Sequence, residues 1–508
     1  DGKVPSAQLP ADAVLSVNGE TGTVSLSAAD VGAVDTDEKG AINGGATLDG
    51  TGKVPSAQLP TAPVTSVNGE TGAVTLDAAD VGALTETQAD GLYVAQDSLW
   101  INGMDHGVVG DGTTDDAPAI NAILTSSPTG SVIALPPKVF ATGVPIVVPP
   151  GKTLMGLRSD LMTVSGLFEP NAQIKPLSGF TGVAAIRFLD QTDGGYAAIS
   201  GEQRVLNLTL DGSNIASGVD GIQAKGNIQN VALRDVTIRR FPNSGIYCGL
   251  QGGDAPYSWR LHRVMLDNNE AHGFFGERMV DLTAMDCQAI GNFSNGWMLQ
   301  NAANSQMVGC RAEWNGNHGF YLSGDWGNGA GSGGMLMSGC STDRNGFNGI
   351  YIDSTGTPPI VISNLMTRRD GRNGGTGGGG YAGIAVNAST MPVIIGDWTN
   401  FPGVDDGGAS TNSPQYGGSF TNASFVQIDN AYVHAATAGF NDGGGNGDLR
   451  LGSNITYAVG TTSSFTRARM PAGEIIVAAS DSAASNDADL LCTGTDDHLV
   501  IQQAINMV

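Results

Sequence analysis

A chain of 508 residues with 40% apolar content can build several domains and at least one large core, which excludes a disordered protein. Its 75 glycines against 14% charged residues disfavour long surface helices and favour many short strands joined by turns. A formal charge of −25 sets the surface against phosphate backbones and anionic lipid, so no nucleic-acid partner and no membrane insertion are expected. No apolar run approaches the roughly 18 residues a membrane span needs, and no secretory leader pattern opens the chain. The cysteines (Cys248, Cys287, Cys310, Cys340, Cys492) are far apart and form no C-x-x-C pair, which argues against a zinc site or a disulfide framework. Neither a metal nor a cofactor is expected.

The first element is a repeat, with one copy in residues 1–50 and a second in 51–95. Lys3–Pro10 recurs as Lys53–Pro60, and Ser16–Gly22 as Ser66–Gly72, a period of 50 residues. Alternating residues on either side of Asn68-Gly-Glu-Thr-Gly72 predict a β-hairpin. Asp77–Ala83 then predicts one short helical turn. A unit with two short strands cannot bury a core alone, so it needs neighbouring repeats or other chains, and homo-oligomerisation is expected. The phrase Ser-Val-Asn-Gly-Glu-Thr-Gly-x-Val-x-Leu followed by Ala-Ala-Asp-Val-Gly-Ala, within Val14–Ala33 and Val64–Ala83, resembles a repeat of phage tail fibres and minor tail proteins. That resemblance implies a trimeric shaft, hence a homotrimer. It also implies an extracellular place on the virion tail, with other tail or baseplate proteins as partners.

Residues 96–130 read as a linker and a cap. Asp115 or Asp116 can cap a helix that starts near Ala117-Pro118 and carries Ile120, Ile123 and Leu124 on one face. Such a helix covers the open end of a solenoid, where backbone groups otherwise go unpaired. The stretch Gly107–Leu124 resembles the opening motif of pectate-lyase-like proteins of the pectin-lyase superfamily. The resemblance implies an all-β fold, a right-handed parallel β-helix, over residues 131–475.

The rungs can be registered on a glycine followed by an apolar residue: Gly245, Gly273, Gly296, Gly319, Gly349 and Gly383. Their spacings are 28, 23, 23, 30 and 34 residues, within or near the range of a strand-rich solenoid. Nine residues before the first five stand Val236, Val264, Cys287, Cys310 and Cys340, so the cysteines act as small buried hydrophobes in one column. Four residues before the glycine the column is Asn269, Asn292, Asn315 and Asn345, an asparagine ladder whose amides can bond from rung to rung. Val132–Leu210 and Gly418–Tyr457 are expected to hold earlier and later rungs.

Two outward columns are candidates for function. Two residues after the glycine stand Tyr247, Phe275, Met298, Tyr321 and Tyr351, predicted to face outward by the period-two rule. An exposed aromatic strip needs a cover: a sister subunit, a glycan or a loop. Six residues before the glycine, Glu313 and Asp343 are expected to be rung neighbours. They are the candidate acid and base of a polysaccharide hydrolase or lyase, with solvated surface acids as the alternative. Trp326, in the Gly-rich loop Ser323–Met337, could wall a groove beside them. His272 and His318 precede their register glycines two rungs apart, too far to share a metal, and are read as turn residues.

Residues 476–508 repeat the logic of the cap and resemble the start of a second β-helix domain, as expected if the chain is a segment of a longer polypeptide. The whole reads as a phage tail fibre or tailspike component that attaches the virion to a host cell-surface polysaccharide. Whether it cleaves that polysaccharide is open. The alternatives are a non-catalytic shaft carrying a distal receptor-binding domain and a secreted bacterial β-helix adhesin.

Overall fold

A computed structural model describes residues 99–157, 172–190, 201–325, 334–374, 380–404 and 412–457 other than 453. Shorter described pieces are 19, 23–27, 29–32, 46–58, 477–479 and 490–492. Two compact units are present, Asp1–Tyr93 and Val94–Val508. In the first, Ala29–Val31 forms a single 3-10 turn, with the Asp30 carboxylate accepting from Ser27 N at 2.8 Å and Ser27 Oγ at 2.7 Å. The predicted hairpin around Asn68, the turn at Asp77–Ala83 and the cap-like segment at Asp496–Asn506 lie outside the described residues.

The second unit is a right-handed parallel β-helix. Each turn of the chain visits three faces, and every strand pairs in parallel with the equivalent strand one turn on. On the third face, eleven strands stack from Ile146–Val148 to Ala438–Asp442. The first and second faces meet at a corner that five long strands cross without a break, among them Ala232–Arg239, Arg260–Asp267 and Ile360–Arg368. Each bends at a residue in the left-handed region, such as Asp235 (φ 56), Arg263 (φ 51) and Asn364 (φ 51). In the rungs between them the bend falls at Asp286, Gly309 and Gly339.

The helix Ala117–Ser126 closes the N-terminal end, with Ile120, Ile123 and Leu124 buried. Asp115 supplies its cap, accepting from Ala117 N at 3.1 Å and also from Gly143 N at 2.8 Å. The Asp116 side chain turns away to accept from Val109 N and Gly110 N. Asn121 covers the first strand of the third face: its amide donates to Pro145 O at 2.9 Å and accepts from Val147 N at 2.8 Å.

The register glycines pair as the spacing predicts. Ile246, Phe274, Trp297, Phe320, Ile350 and Ile384 lie in one inward column. The glycine before each is required by close approach: a Cβ on Gly273 would stand 2.6 Å from Gly296 O, and one on Gly319 2.6 Å from Gly349 O. The column also runs further than the sequence reading took it, to Gly221 on one side and to Gly417 and Gly439 on the other. Inside it the rings of Phe274, Trp297 and Phe320 stack at 5.5 and 6.4 Å, fully buried. Each buried ring contributes on the order of 2 kcal/mol.

Val264, Cys287, Cys310 and Cys340 form a second buried column, their register given by Met265↔Gln288, Gln288↔Arg311 and Arg311↔Ser341. At the corner between the second and third faces the asparagines bond in series. Asn269 Nδ2 donates to Asn292 Oδ1 at 2.9 Å, Asn292 to Asn315 at 2.9 Å, and Asn315 to Asn345 at 2.8 Å. The ladder continues one rung further, because Asn345 Nδ2 donates to Asp370 Oδ1 at 2.8 Å. Asp370 is wholly buried and also accepts from Thr342 Oγ1 at 2.5 Å; burial pushes its carboxyl up to about 7.

Candidate functional site

The outward side of the third face carries two parallel columns. In the first, Tyr247, Phe275, Met298, Tyr321 and Tyr351 are register partners on five successive rungs. Their rings touch along the column, Tyr247 to Phe275 at 5.3 Å and Tyr321 to Tyr351 at 5.2 Å. They are half-buried rather than fully exposed. The imidazoles at the strand entrances explain the difference: His272 packs on Phe275 at 5.2 Å, and His318 stacks on Tyr351 at 4.6 Å. Burial lowers both histidines to about 4, so they are neutral near pH 7. The His318 Nδ1 accepts from Asn348 N at 3.3 Å, leaving the proton on Nε2.

Two residues further along each strand a polar column runs Glu277, Gln300, Ser323, Asp353 and Asn387. It is hydrogen-bonded to the aromatic one. Tyr247 OH donates to Glu277 Oε2 at 3.2 Å, Tyr321 OH donates to Asp353 Oδ2 at 2.9 Å, and Asn387 Nδ2 donates to Tyr351 OH at 3.0 Å. Burial raises the Asp353 carboxyl, and the Tyr321 hydroxyl works the other way. Its Oδ1 is buried with no hydrogen-bond partner among the described residues. Burial and the neighbouring Glu277 charge push the Tyr247 phenol up to about 12. The polar column was missed by sequence reasoning, although it lies four residues after each register glycine.

This surface offers flat apolar rings beside hydroxyl, amide and carboxylate groups, repeated at the rung spacing of about 4.8 Å. Rings stack on the C–H face of a sugar while the polar column bonds its hydroxyls.

The second face brings Glu313 and Asp343 together as register neighbours. Their surroundings are ionic. Asp343 is 1% exposed and is gripped by Arg369 through Nε and Nη2 at 2.9 and 2.7 Å, by Arg344 at 2.9 Å and by Arg368 at 3.0 Å. Glu313 pairs with Arg311. Arg344 and Arg372 flank the Trp314 ring at 4.8 and 5.5 Å. With its oxygens engaged and water excluded, Asp343 has the geometry of a buried anchor. Trp326 lies outside the described residues. Among the described residues no group of three His, Cys, Asp or Glu could hold a metal ion, and no helix is long and apolar enough to cross a membrane.

Residues 100–324 match the family model described as rhamnogalacturonase A/epimerase, pectate lyase-like. Solved structures with similarity to this chain include the pre-mature gene product 12 of bacteriophage phi29, at 19% identity over 70% of this chain and 51% of that one, with a TM-score of 0.47. The enzymatically active domain of tailspike protein 2 of bacteriophage CBA120 matches at 17% identity over 65% and 47%, TM-score 0.47. The A-module of the Azotobacter vinelandii mannuronan C-5 epimerase AlgE6 matches at 18% identity over 72% and 99%, TM-score 0.42.

Proposed function

We propose that this chain is a phage tail fibre or tailspike component whose β-helix binds a host-surface polysaccharide along its third face. The observation that carries the binding site is the five-rung register of Tyr247, Phe275, Met298, Tyr321 and Tyr351 beside the polar column from Glu277 to Asn387. An extended glycan offers repeated rings and hydroxyls, and the Phe275, Tyr321 and Tyr351 rungs offer a ring beside a polar group. The virion part of the reading rests on the stalk repeat in Val14–Ala33 and Val64–Ala83, which also supports a homotrimer.

Cleavage of the bound glycan is a finer reading, for which Glu313 and Asp343 are the acid–base candidates. The arginines around Asp343 disfavour it as a proton donor. A second occupant of the strip, a sister subunit, is favoured by the apolar middle of the column at Phe275 and Met298.

The test combines surface-exposed polysaccharide extracted from the host with the full chain and its Tyr321→Ala/Tyr351→Ala variant. Retention of polysaccharide that falls at least tenfold in the variant, at unchanged oligomeric state, is expected. Unchanged retention would overturn the reading, and an oligomer that dissociates would assign the strip to the subunit interface. New reducing or unsaturated ends in the products would add the cleavage activity.

A further inference from the structure

At the corner where the third face turns back to the first, a cavity of about 290 Å³ is lined by Asn227, Asp254, Pro256, Tyr257, Arg278 and Val280. Its position is set by the same register that builds the strip. Arg278 directly follows Glu277, the first acid of the polar column, and Tyr257 and Val280 are bridge partners on successive turns. The cavity therefore opens where the glycan surface ends.

Several arginines close on carboxylates, as Arg240 does on Asp211, Arg263 on Asp235 and Arg369 on Asp343. Arg278 instead donates through Nη1 to Gly253 O at 3.1 Å and has no carboxylate partner among the described residues. Asp254 is exposed on the rim, its main chain paired with Gln251. The backbone N of Asn227 is held by Asp190 at 2.6 Å, while its Oδ1 is buried with no hydrogen-bond partner among the described residues.

We propose that this cavity is a subsite for one uncharged pyranose ring, a branch or end unit of the polysaccharide that lies along the third face. The inference rests on that reading and names its substrate class more closely. The free N–H groups of Arg278 donate to adjacent hydroxyl oxygens, and the Asp254 carboxylate accepts from a hydroxyl group. Tyr257, with Pro256 and Val280, supplies an apolar wall for the C–H face of the ring. One cation and one anion share the site, so its charge is balanced and an anionic sugar gains nothing net. The volume lies near the lower end, about 300 Å³, of small-ligand sites, which suits a single ring and not a chain.

Saturation-transfer NMR with the methyl glycosides of glucose, galactose, mannose, rhamnose and glucuronic acid tests this on the full chain. At least one of the four neutral glycosides is expected to bind, and Arg278→Met and Tyr257→Ala are each expected to weaken it at least tenfold. Asp254→Asn, on the exposed rim, keeps the fold and is expected to weaken binding several-fold. Arg450→Gln, at an exposed ion pair outside both the strip and the cavity, is expected to leave the glycoside signal unchanged. The proposal is overturned if no neutral glycoside binds, if the pocket variants bind as well as the parent, or if only the glucuronide binds. In those cases polysaccharide retention that still depends on Tyr321 and Tyr351 leaves the strip standing, so the two readings fail separately.

Discussion

Two sets of columns run along the same β-helix, and they differ in where their polar atoms find partners. At the corner between the second and third faces the amides of Asn269, Asn292, Asn315 and Asn345 spend their bonds on one another and on main-chain groups of neighbouring rungs. On the third face the tyrosines and carboxylates also bond to each other, yet they stay half-exposed. Repetition alone therefore does not distinguish architecture from function. Access to solvent does: the ladder asparagines are at most 1% exposed, whereas the tyrosines are half-buried.

That contrast predicts large stability effects inside and small ones outside. Asn315→Leu removes the acceptor of both Asn292 donors and the donor to Ala289 O and Asn345, leaving several buried groups unpaired. A loss of about 4 kcal/mol is expected, read as a lowered chemical-unfolding midpoint; a near-neutral result would break the comparison. Gly319→Ala places a methyl 2.6 Å from Gly349 O and 2.8 Å from Asn345 Nδ2, neither of which can yield cheaply. Thermal unfolding should show a cost of about 2 kcal/mol.

Asp370 sharpens the comparison through pH. Its folded-state value, about 7, lies above the ordinary 3.8, so the native state binds the extra proton. Its contribution is fully present below pH 3.8 and is lost as pH rises through 7, at about 1 kcal/mol per pH unit within that window. Asp370→Asn completes the ladder with an amide and should make unfolding stability at pH 8 higher than the parent's, with a flatter profile between pH 4 and 7. A parent profile without this slope would remove Asp370 from the ladder account. The smallest effect is expected on the surface: Tyr321→Phe loses one hydroxyl bond to Asp353, about 1 kcal/mol or less of stability, while polysaccharide affinity falls several-fold. Equal losses in both would make Tyr321 structural.

The legible parts of the fold were those with fixed local spacing. The asparagine stands four residues before the glycine on four successive rungs, Gly273 to Gly349, and the close carbonyl behind that glycine forbids any other residue there. Asp370 was not legible because 13 residues, not four, separate it from Gly383. Gly221 was missed for a similar reason: 8 residues, not four, separate it from Ser213, which strand register places at the ladder position. The first corner gave no signal, since Asp235, Arg263, Asp286 and Gly309 share a backbone conformation and no side-chain chemistry. At the candidate site the aromatic column could be read from period two alone. The arginines that surround Asp343 could not, because Arg368 and Arg369 belong to the following rung, and only strand pairing brings Arg368 beside Asp343.

The measurement that bears most directly on the account is a crystal structure of the full chain with an oligosaccharide released from the host polysaccharide. Sugar rings stacked on Tyr321 and Tyr351, with hydroxyls bonded to Asp353 and Asn387, are the predicted result. A glycan seated on the second face beside Glu313, or a third face covered by a sister subunit, would contradict it.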